Sequence, residues 1–360
     1  MRILMAVISY RYLTGAEMYC YELASELTRR GHTVAITSGR VGGEITARTL
    51  DRGISVYPFE ECPPDWAPDV LHVQELVPSS FAVAMYPRVP AVATVHSEFD
   101  CERPFLSERI WRYICVRSSV QTVVTDRYGV APERTVVIHN GVDAARFARL
   151  RGSAAARPSN QRRVLFVGTI DALRRRAIQD MIARGAREGF RVRVVGDRLA
   201  DYLDAPPAHV EVYPATWDVD QHVAEASETA GVLLGRTTIE GWLAGLPGWI
   251  YDIDLEGSVK SVESLVPPAD LSVYDISTVA SSIMELYEGA MSSGYMKDLS
   301  VSVASLGVAS AVSIAELARL TADMANLRAK IAALRGKYSR YVRIAEAVRQ
   351  LPHGMKRYFN

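Results

Sequence analysis

The sequence predicts an α/β protein of two successive doubly wound domains, followed by a helical segment of different character. Three observations predict it. Short runs rich in Val, Ile and Ala alternate with amphipathic helical patterns, the arrangement of parallel strands joined by crossover helices. The alternation breaks off between residues 148 and 163 and then begins again. After about residue 300, apolar residues recur alternately three and four positions apart, which is a heptad repeat.

At 360 residues the chain is long for one domain and has room for two cores. Its 41 basic and 41 acidic residues cancel, so bulk charge gives no reason to expect a nucleic-acid partner. Cys20, Cys62, Cys101 and Cys115 show no metal-type spacing and read as reduced thiols of a cytoplasmic protein. No metal site is expected. The apolar opening, residues 1–8, lacks a long h-region and a small-residue cleavage site, so it reads as a first strand. No run reaches the roughly 20 apolar residues of a membrane span.

In the first domain, residues 1–150, strands are expected at 2–8, 33–37, 70–73, 91–95, 122–125 and 135–138, with an amphipathic helix at 16–30 and a turn at Arg30-Gly31-His32. Residues 148–163 have no periodicity and read as a linker. The second domain, 151–305, restarts with a buried strand at 164–168. A helix at 177–188, a strand at 191–195, the turn Gly196-Asp197, a strand at 210–213 and a helix at 219–227 follow. The apolar run 230–234 then stops at Gly235, where Thr237 or Thr238 could cap a short helix. Gly245-Leu246-Pro247 ends that helix and feeds a strand at 249–251.

Residues 311–350 are expected to form a long amphipathic or coiled-coil helix. From Leu317 to Val348 the heptad positions are apolar, while residues 317–360 carry ten basic and two acidic side chains. Three placements stay open for this stretch: a homo-oligomer through Leu317–Val348, docking on the protein's own body, and peripheral contact with an anionic inner membrane surface.

Ligands of doubly wound sheets sit beyond the carboxyl ends of the strands, so two such domains suggest a cleft between them. Five features fall there. Backbone donors from Gly235 through Thr237 and Thr238, with Arg236 beside them, suit a phosphate, whereas Glu240 one turn on suits a hydroxyl such as that of a ribose or sugar. Gly15, in Thr14-Gly15-Ala16-Glu17, lets a ligand approach the backbone closely. His96 ends the strand at 91–95. Gly168-Thr169 with Arg174, Arg175 and Arg176 places cations where a diphosphate could pair with them. The segment His139-Asn140-Gly141-Val142-Asp143 with Phe147 reads mostly as a structural turn. Each feature alone also has a purely structural reading, respectively a fortuitously capped buried helix, a strand-to-helix turn, a satisfied histidine, a solvated basic turn and a closing turn.

In order and spacing, these residues resemble the retaining, nucleotide-sugar-dependent glycosyltransferases of family 4, which have the GT-B fold. The resemblance spans roughly residues 1–254 and is carried by Gly15-Ala16-Glu17, Arg30-Gly31-His32, Thr94-Val95-His96, the 138–143 segment, Leu165-Phe166-Val167-Gly168, Val195-Gly196-Asp197 and Glu240 through Pro247. It implies two Rossmann-like domains facing a cleft. It also implies transfer of a hexose, with retention, from a UDP- or GDP-sugar to a saccharide, lipid-linked or small-molecule acceptor. Gly15 would face the diphosphate, His96 the transferred sugar and Glu240 the ribose, with no cofactor beyond the donor and no metal. Three places depart from the family pattern: Val232 stands where an earlier glutamate is usual, Thr169 where an arginine is usual, and Arg176-Ala177 where Lys-Gly is common. Arg236 stands where it could make up for the missing first acid or for the altered cations, and its place beside the diphosphate favours the second on charge grounds. The alternatives are a catalytically degenerate GT-B protein acting as a scaffold or partner subunit, and a nucleotide-sugar epimerase, for which no extra paired carboxylates are found. Acceptor loops are expected near residues 9–13, 74–80 and 97–105.

Overall fold

A computed structural model describes residues 1–151, 162–196 and 206–293. Asp197, residues 152–161 of the 148–163 linker and the whole 311–350 segment, with its heptads at Leu317–Val348, lie outside the described residues.

The first lobe begins with β1 (Arg2–Val7), whose residues from Ile3 to Val7 are buried on both faces, as a central parallel strand requires. Helix α1 (Gly15–Arg29) follows. Its start is fixed by a capping box in which Thr14 and Glu17 satisfy each other's free groups, and the chain turns at Gly31, φ 86°. Then come β2 (Thr33–Ser38), α2 (Gly43–Asp51), β3 (Ser55–Pro58), β4 (Val70–Gln74), α3 (Leu76–Met85), β5 (Ala91–Val95), β6 (Ile110–Cys115), α4 (Ser118–Thr122), β7 (Thr135–Val137) and α5 (Ala144–Ala148). The strands form one parallel sheet in the order β3-β2-β1-β4-β5-β6-β7.

The second lobe contains β8 (Arg163–Val167), α6 (Arg175–Glu188), β9 (Arg191–Val195), β10 (Val210–Tyr213), α7 (Val219–Glu225), β11 (Glu228–Val232), α8 (Arg236–Leu243), β12 (Gly248–Ile253) and β13 (Val259–Leu265). The order is β10-β9-β8-β11-β12-β13, parallel except for the antiparallel edge strand β13. Both sheets reverse strand order next to their first strand, between β1 and β4 and between β8 and β11. Such switch points open the crevices in which doubly wound sheets hold ligands.

Helix α9 (Ile276–Ser292) returns to the first lobe. Val279, Ala280, Ile283, Tyr287 and Ala290 complete the core beside α1. Val142 anchors the return: its amide donates to the Tyr274 carbonyl at 2.9 Å, and the Ile276 amide donates to its carbonyl at 2.9 Å.

One expected strand is corrected. Residues 122–125 are helical, continuing α4 into a short π-type turn, and the strand of that region is β6. The physical reason is periodicity, because Val120 and Val124, one helical turn apart, are both fully buried. The Cys20, Cys62 and Cys115 thiols are free and buried, and no described helix is long and apolar enough to cross a membrane.

Candidate functional site

The carboxyl ends of the two sheets face each other across a cavity of about 350 Å³. The first lobe contributes the Gly15 loop, His96, Arg117 and Asn140. The second contributes the ends of β8 and β11 and the start of α8.

Gly15 stands at the first turn of α1 with open space within 4 Å of where a Cβ would be, so its backbone is bare toward the cavity. The neighbouring Glu17 is committed to the helix cap. On the opposite wall β8 and β9 end in Gly168 and Gly196, packed so closely that a Cβ on Gly196 would collide with the Gly168 carbonyl. This brings Thr169 to the cavity wall.

The turn from β11 into α8 passes through Leu233, whose φ of 57° is strained for a branched residue. Gly235 is the N-cap of α8, in extended backbone, so neither threonine caps the helix. Gly235, Arg236 and Thr237 line the cavity, and the first-turn amides of α8 have no intrahelical acceptors. The Thr237 hydroxyl donates to the Val167 carbonyl at 2.7 Å, pinning α8 to β8. Thr238 does not line the cavity. Its Oγ1 is buried without a partner among the described residues.

Arg236 lines the cavity, but its guanidinium is not free for a phosphate. Nε donates to Glu240 Oε1 at 2.7 Å, and the two terminal nitrogens grip both oxygens of Glu22, on α1 of the other lobe, at 2.9 and 2.5 Å. Two buried carboxylates demand a counter-charge, and the arginine supplies it. The Glu240 carboxyl is pushed up to about 7, by burial first, with Glu22 adding to the rise and Arg236 opposing it.

His96 donates from Nε2 to Gln74 Oε1 at 2.9 Å, and Tyr19 packs edge-on against its ring at 5.1 Å. Burial lowers its pKa, Glu102 and Asn140 oppose this, and Arg117 adds to it, which leaves a neutral imidazole on the cavity wall. Arg174 also reaches the wall, paired with Asp171. Arg175 and Arg176 do not, and Arg176 bonds the Ser258 hydroxyl instead. The basic triplet opens α6, so successive residues point to different sides of that helix and only one can face the cavity.

Sequence reasoning missed three lining groups. Arg117 donates to the Leu234 carbonyl at 3.0 Å and pairs with Glu98. Arg146 pairs with Asp220, and Asn140 lies beside His96. Arg117 would have stood out as a cation just past a strand had β6 been recognised. Asn140 sits in the 139–143 turn and Arg146 just beyond it, a stretch that reads mostly as structural.

A second cavity, about 740 Å³, lies over the switch point of the first sheet and shares Thr14, Ala16, Glu102, Thr169 and Asp171 with the first. Its floor is Glu75, immediately after β4, with φ 53° and its Oε2 accepting the Ile8 amide at 3.1 Å. The loops expected to meet an acceptor, near residues 9–13, 74–80 and 97–105, all reach this cavity. Among the described residues no group of three or more His, Cys, Asp or Glu side chains is placed to hold a metal ion.

Residues 13–146 match the family described as Glycosyltransferase Family 4. No curated protein matches the chain in sequence. Among solved structures the chain is similar to Alr3699/HepE of Anabaena in complex with UDP-glucose, at 18% identity and a TM-score of 0.54, covering 90% of this chain and 100% of that one. The same Anabaena protein in complex with UDP and glucose gives 16% and 0.53 with the same coverage. A glycosyltransferase from Rickettsia africae ESF-5 gives 17% and 0.51, covering 89% and 92%. These likenesses show the fold, and the two-lobed GT-B architecture expected from the sequence is the one observed.

Proposed function

We propose that the protein is a glycosyltransferase moving a hexose from a UDP- or GDP-sugar to a hydroxyl acceptor with retention of configuration. The observation that carries the reading is that bare Gly15 backbone and a neutral His96 from one lobe meet the free amides of α8 and the Glu240 carboxyl from the other across one cavity. Its size lies within the roughly 300–1,000 Å³ of small-molecule sites.

The diphosphate would lie on the amides of Gly235 through Thr237, with Gly15 opposite and Arg174 or Arg117 exchanging its present carboxylate for phosphate oxygens. Glu240 would take the ribose hydroxyls, and Thr169 would border the diphosphate. His96 would touch the transferred sugar, its neutral ring offering no competing charge. As the sugar leaves, negative charge grows on the nucleotide, where the start of α8 and the guanidinium groups stabilise it without a metal. The acceptor would enter through the second cavity and approach on the face from which the nucleotide departs, giving retention without a protein nucleophile. Glu75 would hold its hydroxyls. Association through Leu317–Val348, with a second copy or with a membrane surface, belongs to the same proposal.

Calorimetry with UDP, GDP and their sugars tests the reading. Binding by one nucleotide series is expected, weakened about ten-fold or more by Glu240→Ala and by Gly15→Ala, where the new methyl stands in the ligand's path while the fold has room for it. Failure of both series to bind at millimolar concentration would sink it. That outcome favours a degenerate scaffold, a reading supported by apolar Val232 in the cavity wall and by the engaged Arg236.

A further inference from the structure

The ion triad at the cavity wall does something that neither the fold nor the ligand chemistry requires. Arg236 and Glu240 are one turn apart on α8, a pairing that is worth little on a solvated helix surface. Here the Arg236 side chain is 13% exposed and Glu240 5%, and the guanidinium is shared with Glu22 from the other lobe, 8% exposed. All three groups are therefore desolvated, and the geometry is specific to arginine. The fork takes both Glu22 oxygens while Nε takes Glu240 Oε1. A lysine ammonium, a point charge, has no planar fork with which to take both Glu22 oxygens while holding Glu240 Oε1.

We infer that Glu22 and Arg236 are positioning residues: the pair bridges the lobes in the closed arrangement and, through Arg236 Nε, fixes the orientation of the Glu240 carboxylate toward the cavity. The inference rests on reading that cavity as the nucleotide-sugar site, with Glu240 against the ribose. Two carboxyls around one guanidinium leave a net negative charge once Glu240 ionises, through about pH 7. Such a charge favours a ligand that donates hydrogen bonds, as a diol does, and repels a phosphate, which is thereby kept at the start of α8. Opening the lobes would separate Glu22 from Arg236 and leave the guanidinium with Glu240 alone, its two terminal nitrogens released. Closure thus adds the Glu22 half of the grip that orients Arg236 and, through it, Glu240. The charged groups acting on Glu240 are Arg236 on its own helix, Glu22 on α1 and Arg146 on α5. Glu22 is one cause of the raised Glu240 pKa, so its charge leaves a signature that a passive tie would not.

The test compares the full-length protein with Glu22→Gln and Arg236→Lys by small-angle scattering and by UDP calorimetry across pH 5.5 to 9. Glu22→Gln is expected to enlarge the free protein's radius of gyration and to weaken UDP about five- to thirty-fold. It is also expected to move the pH midpoint of UDP affinity downward, because Glu240 then titrates without its like-charged neighbour. Arg236→Lys, which keeps the charge and loses the fork, should reproduce the loosening and so carries the test if the glutamine variant does not fold. Wild-type scattering in both variants overturns the inference. So does a loosened protein whose UDP affinity and pH midpoint are unchanged, since the pair would then be a tie alone. A wild-type protein that binds no nucleotide overturns the donor reading instead, and scattering still reports on the bridge.

Discussion

Glu75 combines features that a residue chosen for stability would avoid. Its backbone is held at φ 53°, and burial, followed by Glu102 and Glu17, pushes its carboxyl up to about 8. In the unfolded chain the same group ionises near 4.3. Between those values the unfolded state gives up the proton and the folded state keeps it. Stability therefore falls as pH rises through this window and levels off above about 8. Glu75→Gln removes the titration and keeps the shape. Thermal melts should show the variant close to wild type near pH 5 and increasingly more stable toward pH 8. The gap should reach a few kcal/mol, growing by at most about 1.4 kcal/mol for each pH step of one through the window. Parallel melting curves at all pH values would show that the fold does not hold this carboxyl protonated. Stability given up at one polar position on a cavity floor is the pattern expected of a residue kept for its ligand. At this scale the sequence was only half legible. Gly15, His96 and Glu240 stand out locally because each sits at the end of a recognisable strand or the start of a helix. The partner of Arg236 does not, because Glu22 lies 214 residues away and reads simply as part of a helix.

Among the elements, α9 is tied to the first sheet by more than its apolar stripe. Tyr287 hydroxyl meets His72 Nδ1 at 2.5 Å, and His72 Nε2 meets the Thr94 hydroxyl at 2.7 Å, linking α9 to β4 and β5 in the strand that ends at His96. Burial, with His96 adding to it, drives the His72 pKa down to about 3, so the folded ring stays neutral. Because the unfolded ring titrates near 6.5, this histidine supports the fold fully above that pH and withdraws its support as the pH falls toward 3. Tyr287→Phe strands a buried ring nitrogen, and urea unfolding at pH 7 should show a loss of about 1–3 kcal/mol. A loss within about 0.3 kcal/mol of zero would mean that the packing of α9 alone carries the contact. Strands β1, β5 and β9 were readable from buried runs rich in Val and Ile, edge strand β10 from its Val-Glu-Val alternation, and α1 from its stripe and the Gly31 turn. β6 was hidden by Arg112 in its middle, and the β-branched stretch at 122–125 satisfied a strand pattern while its buried positions keep helical spacing. α9 was unreadable for another reason: an amphipathic stripe says that a helix packs, not on which lobe.

For the molecule as a whole, the two lobes meet through named contacts: Glu22 with Arg236, Arg117 with the Leu234 carbonyl, and Trp217 edge-on against Tyr21 at 4.8 Å with Arg48 over its ring at 4.4 Å. The doubled strand order was predictable from alternation, since each half repeats the same strand-helix rhythm. The return of the chain across the cleft was not, and it has a consequence for how the molecule comes into being. The second lobe is in effect an insertion between Val142 and Ile276, so the first lobe is finished only when its last helix has been synthesised. During synthesis the N-terminal 151 residues are made well before α9, so the surface that Val279, Ile283 and Tyr287 cover stays open to water until residues 276–292 have been added. A fragment of residues 1–151 should accordingly bind a hydrophobic dye and aggregate, and a synthetic peptide of residues 270–293 added in trans should quench the dye signal and raise the soluble fraction. A fragment that is monomeric and dye-silent without the peptide would show that the first lobe closes on its own. Order of synthesis and order of completion are thus opposite in this chain, and the stretch from Ile276 to Ser292 decides when the cleft first has two walls.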